Sequence, residues 1–133
     1  MAVDPAEFLS LDDLERHALE VLPAMPRDYY RSGAWGETTL RENRAAWERL
    51  RIWYRVMRDV SARTTAATVV GHPATMPVCV APTALQRMAH PDGELATARA
   101  AARAGVPMIL SSLSSTAIED VRTAATAVDP AAR

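Results

Sequence analysis

The chain has 133 residues, of which 49% are hydrophobic and 23% are charged, and its formal net charge is −1. This balance is typical of one globular domain or part of a larger one, and it excludes a disordered tail, a collagen-like fibre and a disulfide-rich scaffold. A net charge near zero provides no field that would attract nucleic acid or an anionic membrane, so we expect neither as a partner. All 15 basic residues are Arg, so chemistry that needs a Lys amine must take it from elsewhere.

The cysteine count and the amino terminus predict a cellular compartment. The single cysteine, Cys79, cannot form a disulfide within the chain, which is typical of a reducing environment. The first residues lack the basic and apolar regions of a secretory signal peptide. No apolar run approaches the roughly 20 residues that a membrane span requires. We therefore expect a cytoplasmic protein.

Three helices are predicted in the first half of the chain, over about residues 11–21, 26–31 and 38–50. Ser10 provides an N-cap for the first helix, and Pro23 ends it. Pro26 is expected as the first residue of the second helix, and Ser32–Gly33 as its C-cap. The residues that follow the third helix predict extended or irregular chain.

Shorter elements are predicted in the second half: a hairpin over 67–77, apolar strands over 77–82 and 106–110, and helices over 92–103 and 117–126. Thr116 and Glu119 form a predicted capping box for the last helix. Alternating strands and helices imply a parallel sheet with helical crossovers. We therefore predict an α/β fold, the N-terminal part of a TIM (β/α)8 barrel. The barrel is incomplete in this chain, because a complete one needs about 250 residues.

In terms of domains, we expect one incomplete domain over residues 1–133. It would comprise a helical and irregular region over 1–66, the hairpin over 67–77 and the first two βα units over 78–133.

The common chemical fingerprints are missing. The sequence contains no G-x-G-x-x-G, no P-loop and no G-x-S-x-G motif. Its three histidines, His17, His72 and His90, are far apart in sequence, so no metal site is expected.

Three segments remain as candidates, each with a simpler explanation beside the functional one. Small residues at 81–84 end the first strand, where backbone groups can meet a flat ligand or simply form a turn. The hydroxyl run at 111–116 can bind a ring carbonyl or cap the next helix, and we assign Thr116 to capping. Tyr29 can donate its phenol to a substrate carboxylate or pack in the interior.

Residues 80–94, V-A-P-T-A-L-Q-R-M-A-H-P-D-G-E, closely resemble the first barrel strand and following loop of the FMN-dependent 2-hydroxy acid oxidases. That family includes glycolate oxidase, lactate oxidase and mandelate dehydrogenase. Further landmarks agree in order and spacing, among them residues 28–34, 40–44, 59–61, 96–101 and 110–112. The resemblance covers about residues 8–122.

The resemblance implies a barrel with FMN across the carboxyl ends of its strands. It also implies a set of cofactor-binding residues, namely Pro82, Thr83, Ala84 and Ser111. Tyr29 matches the family tyrosine that binds the substrate carboxylate. Leu113 lies where glycolate oxidase carries a tryptophan facing the substrate, which implies a roomier pocket. His90 belongs to the H-P-x-G-E turn, and we interpret it as structural.

The activity implied is the oxidation of (S)-2-hydroxy acids to 2-oxo acids, by proton abstraction and transfer of a hydride equivalent to flavin. The family's catalytic histidine, its substrate-binding arginines and its flavin-binding lysine have no counterpart here. We therefore expect no catalytic residue in this chain, no activity from the chain alone, and a C-terminal barrel portion as its partner. Family members are commonly homotetramers.

Two alternatives to this enzymatic interpretation stay open: the chain is a non-catalytic, stand-alone remnant of the same family, or it is an oligomer-surface module of that family. A third interpretation keeps the barrel and the flavin but changes the chemistry, as in type 2 isopentenyl diphosphate isomerases. Tyr29 and the run at 81–91 favour the hydroxy acid branch.

Overall fold

The computed structural model describes residues 7–128, which form two compact units. One unit ends at Met57 and the other begins at Arg58. The candidate residues at 82–84, 111 and 113 all belong to the second unit, whereas Tyr29 belongs to the first.

The first unit contains the helices α1 (Leu11–Val21), α2 (Ala24–Arg31) and α3 (Thr38–Glu48). Ser10 caps α1 as predicted, because its hydroxyl oxygen accepts a hydrogen bond from the Asp13 N–H at 3.2 Å. The predictions of α1 and α3 are confirmed, although α3 ends at Glu48, slightly earlier than expected.

The second helix begins earlier than predicted. α2 starts at Ala24, so Pro26 is not its first residue. A proline is tolerated in this position because the N–H groups of the first helical turn have no partner within the helix. Ser32 ends α2 with an extended backbone, and its N–H donates to the Asp28 carbonyl at 3.1 Å.

The predicted hairpin is present in the second unit. Its strands β1 (Ala67–Val69) and β2 (His72–Ala74) pair antiparallel. The turn residues Val70 and Gly71 have φ of 49° and 80°. Positive φ at both positions is the type I′ geometry, whose twist matches that of the strands it joins.

The two predicted parallel strands are reduced to one isolated bridge between Val80 and Met108. The Val80 N–H donates to the Pro107 carbonyl at 2.9 Å, and the Val80 carbonyl accepts from the Ile109 N–H at 2.9 Å. The parallel direction is therefore confirmed, but the predicted extent is wrong. Prolines flank the first segment and interrupt the second, and a proline has no N–H to donate to a ladder.

Two helices form most of the core of the second unit. α4 (Gly93–Ala104) and α5 (Ile118–Thr126) pack against each other and agree with the predicted helices to within one residue. Ala98, Ala101 and Val121 are their buried aliphatic side chains. With Ala74 of β2, three of the four buried aliphatic side chains among the described residues of this unit are alanines, so the core is small.

The hairpin is attached to the end of α4. Gly105 ends the helix with a φ of 68°, a conformation that favours glycine. Its carbonyl accepts from the Thr75 N–H at 2.9 Å, and the Thr75 hydroxyl donates to the Ala104 carbonyl at 2.6 Å. The hairpin therefore lies at the C-terminal end of α4, away from the loops described next.

Candidate functional site

Two loops follow the bridged segments: the first loop (residues 81–85) and the second loop (residues 111–117). Each begins just beyond the Val80–Met108 bridge, on the carboxyl side of its segment. The Leu85 N–H donates to the Leu113 carbonyl at 3.0 Å, which joins the two loops directly. They therefore meet at one edge, as parallel order predicts. Neither loop contains a charged residue.

The first loop presents small side chains. Pro82 and Thr83 are exposed, and Ala84 is half-buried. The Thr83 carbonyl accepts from the Gln86 side-chain amide at 3.3 Å. Within residues 7–128 the Thr83 N–H has no hydrogen-bond acceptor. A backbone donor is therefore free on a loop that carries no charge.

The second loop presents a hydroxyl group. Ser111 is half-buried, and its hydroxyl oxygen accepts from the Leu113 N–H at 3.1 Å. In the part of the chain that the structure describes, the hydroxyl proton of Ser111 has no acceptor. Leu113 is 60% exposed and adds an apolar surface to the same loop. The two loops together thus offer two donors and several small or apolar groups.

Tyr29 lies in the last turn of α2 in the first unit. Its side chain is partly exposed, and its ring meets that of Tyr30 edge-on at a centroid distance of 5.3 Å. This contact is an ordinary aromatic pair.

The residue that sequence reasoning missed is Glu94. It lies in the first turn of α4 and has a relative exposure of 0%. Its carboxylate accepts from the Ser115 N–H at 2.8 Å, from the Gln86 N–H at 3.2 Å and from the Ser115 and Thr116 hydroxyls at 2.7 and 2.8 Å. No ion pair to Glu94 occurs among residues 7–128. A buried carboxylate is therefore satisfied by neutral donors alone.

Hydrogen bonding determines the ionisation of this group. Burial alone would raise the pKa of the Glu94 carboxyl, but the hydrogen bonds from Ser115 and Thr116 stabilise the charged form. They lower its pKa from 4.5 to about 2. Glu94 is accordingly ionised at neutral pH.

The predicted capping box of α5 is wrong, because the Thr116 hydroxyl binds the Glu94 carboxylate and does not cap the helix. The Thr116 hydroxyl donates to Glu94, and the N-cap of α5 is Ala117, which makes no side-chain cap. The Ser115 hydroxyl also donates to Glu94, so neither hydroxyl caps the helix. Glu94 is the only acidic residue of α4, but this composition does not by itself indicate that the carboxylate is buried.

The H-P-x-G-E turn that precedes α4 is structural, as interpreted from the sequence. The His90 ring nitrogen Nδ1 accepts from the Asp92 N–H at 3.2 Å, and the His90 carbonyl accepts from the Gly93 N–H at 2.9 Å. These bonds shape the turn that places Glu94 at the start of α4.

Metal and membrane sites have no support in the described residues. Between residues 7 and 128, no three His, Cys, Asp or Glu side chains lie close enough to hold a metal ion. Over the same range, no helix combines the length and the apolar character that crossing a membrane requires.

Comparison with known proteins identifies the family. A family model described as FMN-dependent dehydrogenase matches residues 18–131. The chain belongs to this family. The family's cofactor is FMN, and a solved structure of a mandelate oxidase variant, which resembles this chain with a TM-score of 0.79 and 44% identity, holds an FMN adduct.

The relatives of this chain include human 2-hydroxyacid oxidase 1, with 47% identity over 86% of this chain and 31% of the relative. Glycolate oxidase 1 of Zea mays is 49% identical over 86% of this chain and 31% of the relative. The crystal structure of mandelate oxidase matches with a TM-score of 0.83 and 44% identity, over 88% of this chain and 34% of that chain. The chain thus spans about a third of the length of these relatives.

The residues of the first and second loops fit an FMN ring. An isoalloxazine is flat and carries carbonyl and ring-nitrogen acceptors along one side. The Thr83 N–H and the Ser111 hydroxyl are donors without acceptors among residues 7–128. Ala84 adds only a methyl group, and neither loop contains a charge that would have to be desolvated.

Proposed function

We propose that this chain is the N-terminal portion of an FMN-dependent oxidoreductase that converts (S)-2-hydroxy acids to 2-oxo acids. Its two loops form one wall of the flavin site in a (β/α)8 barrel, and the remaining barrel portion is supplied by further chain. The observation that carries the proposal is the Leu85–Leu113 hydrogen bond, which brings the two predicted cofactor loops to a single edge. Membership of the FMN-dependent dehydrogenase family supports it.

Each cofactor residue has a role that its chemistry allows. The Thr83 N–H and the Ser111 hydroxyl donate to acceptors of the ring, while Pro82 and Ala84 supply a small, uncharged surface. When bound, FMN supplies the acceptor for the two electrons removed from the hydroxy acid. The proposal assigns no proton transfer to any side chain of this chain.

We propose substrate-binding roles for two residues, Tyr29 and Leu113. The Tyr29 phenol donates to the substrate carboxylate, a contact that needs no charge on the protein. Leu113 provides an apolar surface on the side of the second loop, where it favours a 2-hydroxy acid with a larger substituent than that of glycolate. In the assembled enzyme we propose a homotetramer that takes a small 2-hydroxy acid.

The first test is the intact mass of the native protein together with its visible flavin spectrum. The proposal expects bound flavin and a mass near that of a complete barrel, either in one chain or in a complex. A mass of 14.5 kDa without flavin would contradict it and would support a non-catalytic remnant instead.

A second test addresses the assigned residues by titrating the purified protein with FMN and following flavin fluorescence. Ser111→Ala removes one donor and is expected to weaken binding about 10-fold, the effect of one hydrogen bond. Ser112→Ala is the matched control, because Ser112 is the exposed neighbouring serine, and it should stay within about twofold of wild type. Equal losses in the two variants would contradict the role of Ser111.

A further inference from the structure

Glu94 joins three segments of the second unit that are distant in sequence. Its own backbone belongs to α4, the Gln86 N–H that it accepts follows the first loop, and Ser115 and Thr116 belong to the second loop. All of its partners are neutral, so the carboxylate is the only charge of the cluster. Removing it leaves several part-buried donors without an acceptor at once.

The cluster reaches the first loop through Gln86. The Gln86 side-chain oxygen accepts from the Thr97 hydroxyl at 2.6 Å, and its side-chain nitrogen donates to the Thr83 carbonyl at 3.3 Å. The Thr83 carbonyl shares a planar peptide group with the Ala84 N–H, so the orientation of that peptide is fixed as well. Glu94, by accepting the Gln86 N–H, holds the residue that orients the first loop.

The cluster also holds the second loop against the first. The Ser115 hydroxyl, which donates to Glu94, accepts from the Arg87 N–H at 3.2 Å. The Leu85 N–H donates to the Leu113 carbonyl at 3.0 Å. Three consecutive N–H groups, of residues 85, 86 and 87, therefore donate into a network that includes Glu94 and the second loop.

We propose that Glu94 is a positioning residue for the two loops that face the flavin. Its carboxylate fixes the separation of the two loops, so that the Thr83 peptide and the Ser111 hydroxyl face the ring together. Glu94 itself touches neither flavin nor substrate. This inference rests on the proposed function, and it adds a determinant of cofactor affinity that lies outside the ring-contacting residues.

Glu94→Gln tests the inference because it keeps the size of the side chain and removes the charge. One amide oxygen then replaces two carboxylate oxygens that accept from four donors. Asp92→Asn is the matched control: it removes an exposed negative charge at the start of the same helix. Thr116→Val removes a single donor from the cluster and keeps the shape of the side chain.

Two readouts separate positioning from general stability. The first is the FMN dissociation constant, which we expect to rise about 10-fold or more in Glu94→Gln, a few-fold in Thr116→Val, and less than about twofold in Asp92→Asn. The second needs no cofactor: amide hydrogen exchange at Gln86, Arg87 and Ser115 should accelerate in Glu94→Gln. Exchange at Gly105 and Val121, whose N–H groups bond elsewhere, should stay as in wild type.

The outcomes are distinct. Unchanged FMN affinity and unchanged loop exchange in Glu94→Gln would overturn the inference, and so would an equal acceleration of exchange at every amide. If Glu94→Gln does not fold, Thr116→Val decides by the same two criteria. If the wild-type protein binds no FMN, the proposed function fails, and loop-specific exchange alone then supports or overturns the positioning role.

Discussion

Each of the two units is stabilised internally by a different kind of polar interaction. In the first unit, Arg44 pairs with Asp12 and Glu15 between α3 and α1, and all three side chains are more than half exposed. In the second unit, one fully buried carboxylate, Glu94, gathers neutral donors from two loops. Exposed pairs are screened by water and contribute little, whereas a buried charge is costly to leave unsatisfied. The number of charges in a region therefore says less about its stability than their burial does.

The largest effect is expected from Glu94→Ala. The variant leaves the part-buried Gln86 and Ser115 N–H groups without their acceptor, and we expect the free energy of unfolding to fall by about 3 kcal/mol. Urea denaturation measures the change. Glu119→Ala, at an exposed acid in the first turn of α5, should change the same quantity by less than about 0.5 kcal/mol. Similar losses in both variants would contradict the claim that the buried acid contributes more to stability than the exposed one.

The second effect is a dependence of stability on pH. The folded state lowers the pKa of Glu94 from 4.5 to about 2, so its ionised form stabilises the fold fully above about pH 4.5. This contribution, about 3 kcal/mol, is lost as the pH falls from 4.5 towards 2. Urea denaturation at several pH values should show the loss in wild type and a flatter profile in Glu94→Gln. Parallel profiles would contradict the assigned pKa.

A third effect concerns the backbone at the end of α4. Gly105→Ala places a Cβ in a left-handed conformation and within 2.5 Å of the Thr75 Cγ2. We expect a loss of about 2 kcal/mol in the free energy of unfolding. Thr75→Ser removes that methyl group and should restore part of the loss in the double variant. Gly36→Ala, which meets no atom within 4 Å, is the control, and a loss as large as that of Gly105→Ala would contradict the explanation.

The smallest effect is expected from Arg44→Ala. Because Arg44 and its partners are exposed, we expect the smallest loss of free energy of unfolding among these variants, and it should shrink further in high salt. Thermal unfolding at low and at high ionic strength measures both quantities. A loss as large as that of Gly105→Ala, unchanged by salt, would show that the first unit does contain a strong polar interaction.

The elements with local signals were predictable. Ser10 marks the start of α1 through its own side chain, and this prediction is confirmed. The alternating order of strands and helices predicts parallel strands, and parallel strands bring the two loops to one edge whatever their side chains are. The extent of the strands did not follow, because apolar character alone does not reveal how many ladder hydrogen bonds the prolines remove.

Glu94 was not predictable by the same means. Its donors lie 8 to 22 residues away in sequence, so no local pattern shows that the carboxylate is buried or that Thr116 serves it and not the helix. An acid in the first turn of a helix ordinarily indicates a solvated residue near the positive end of the dipole. Only the folded arrangement of α4 with the two loops distinguishes the two cases.

The most direct test of the central claim is a crystal structure of the protein with FMN bound. The account predicts the isoalloxazine against the backbone of residues 82–84, with an acceptor of the ring within about 3.5 Å of the Ser111 hydroxyl oxygen. Glu94 should remain buried beneath both loops and should not touch the ring. FMN bound elsewhere, or loops that separate from each other when it binds, would contradict the account.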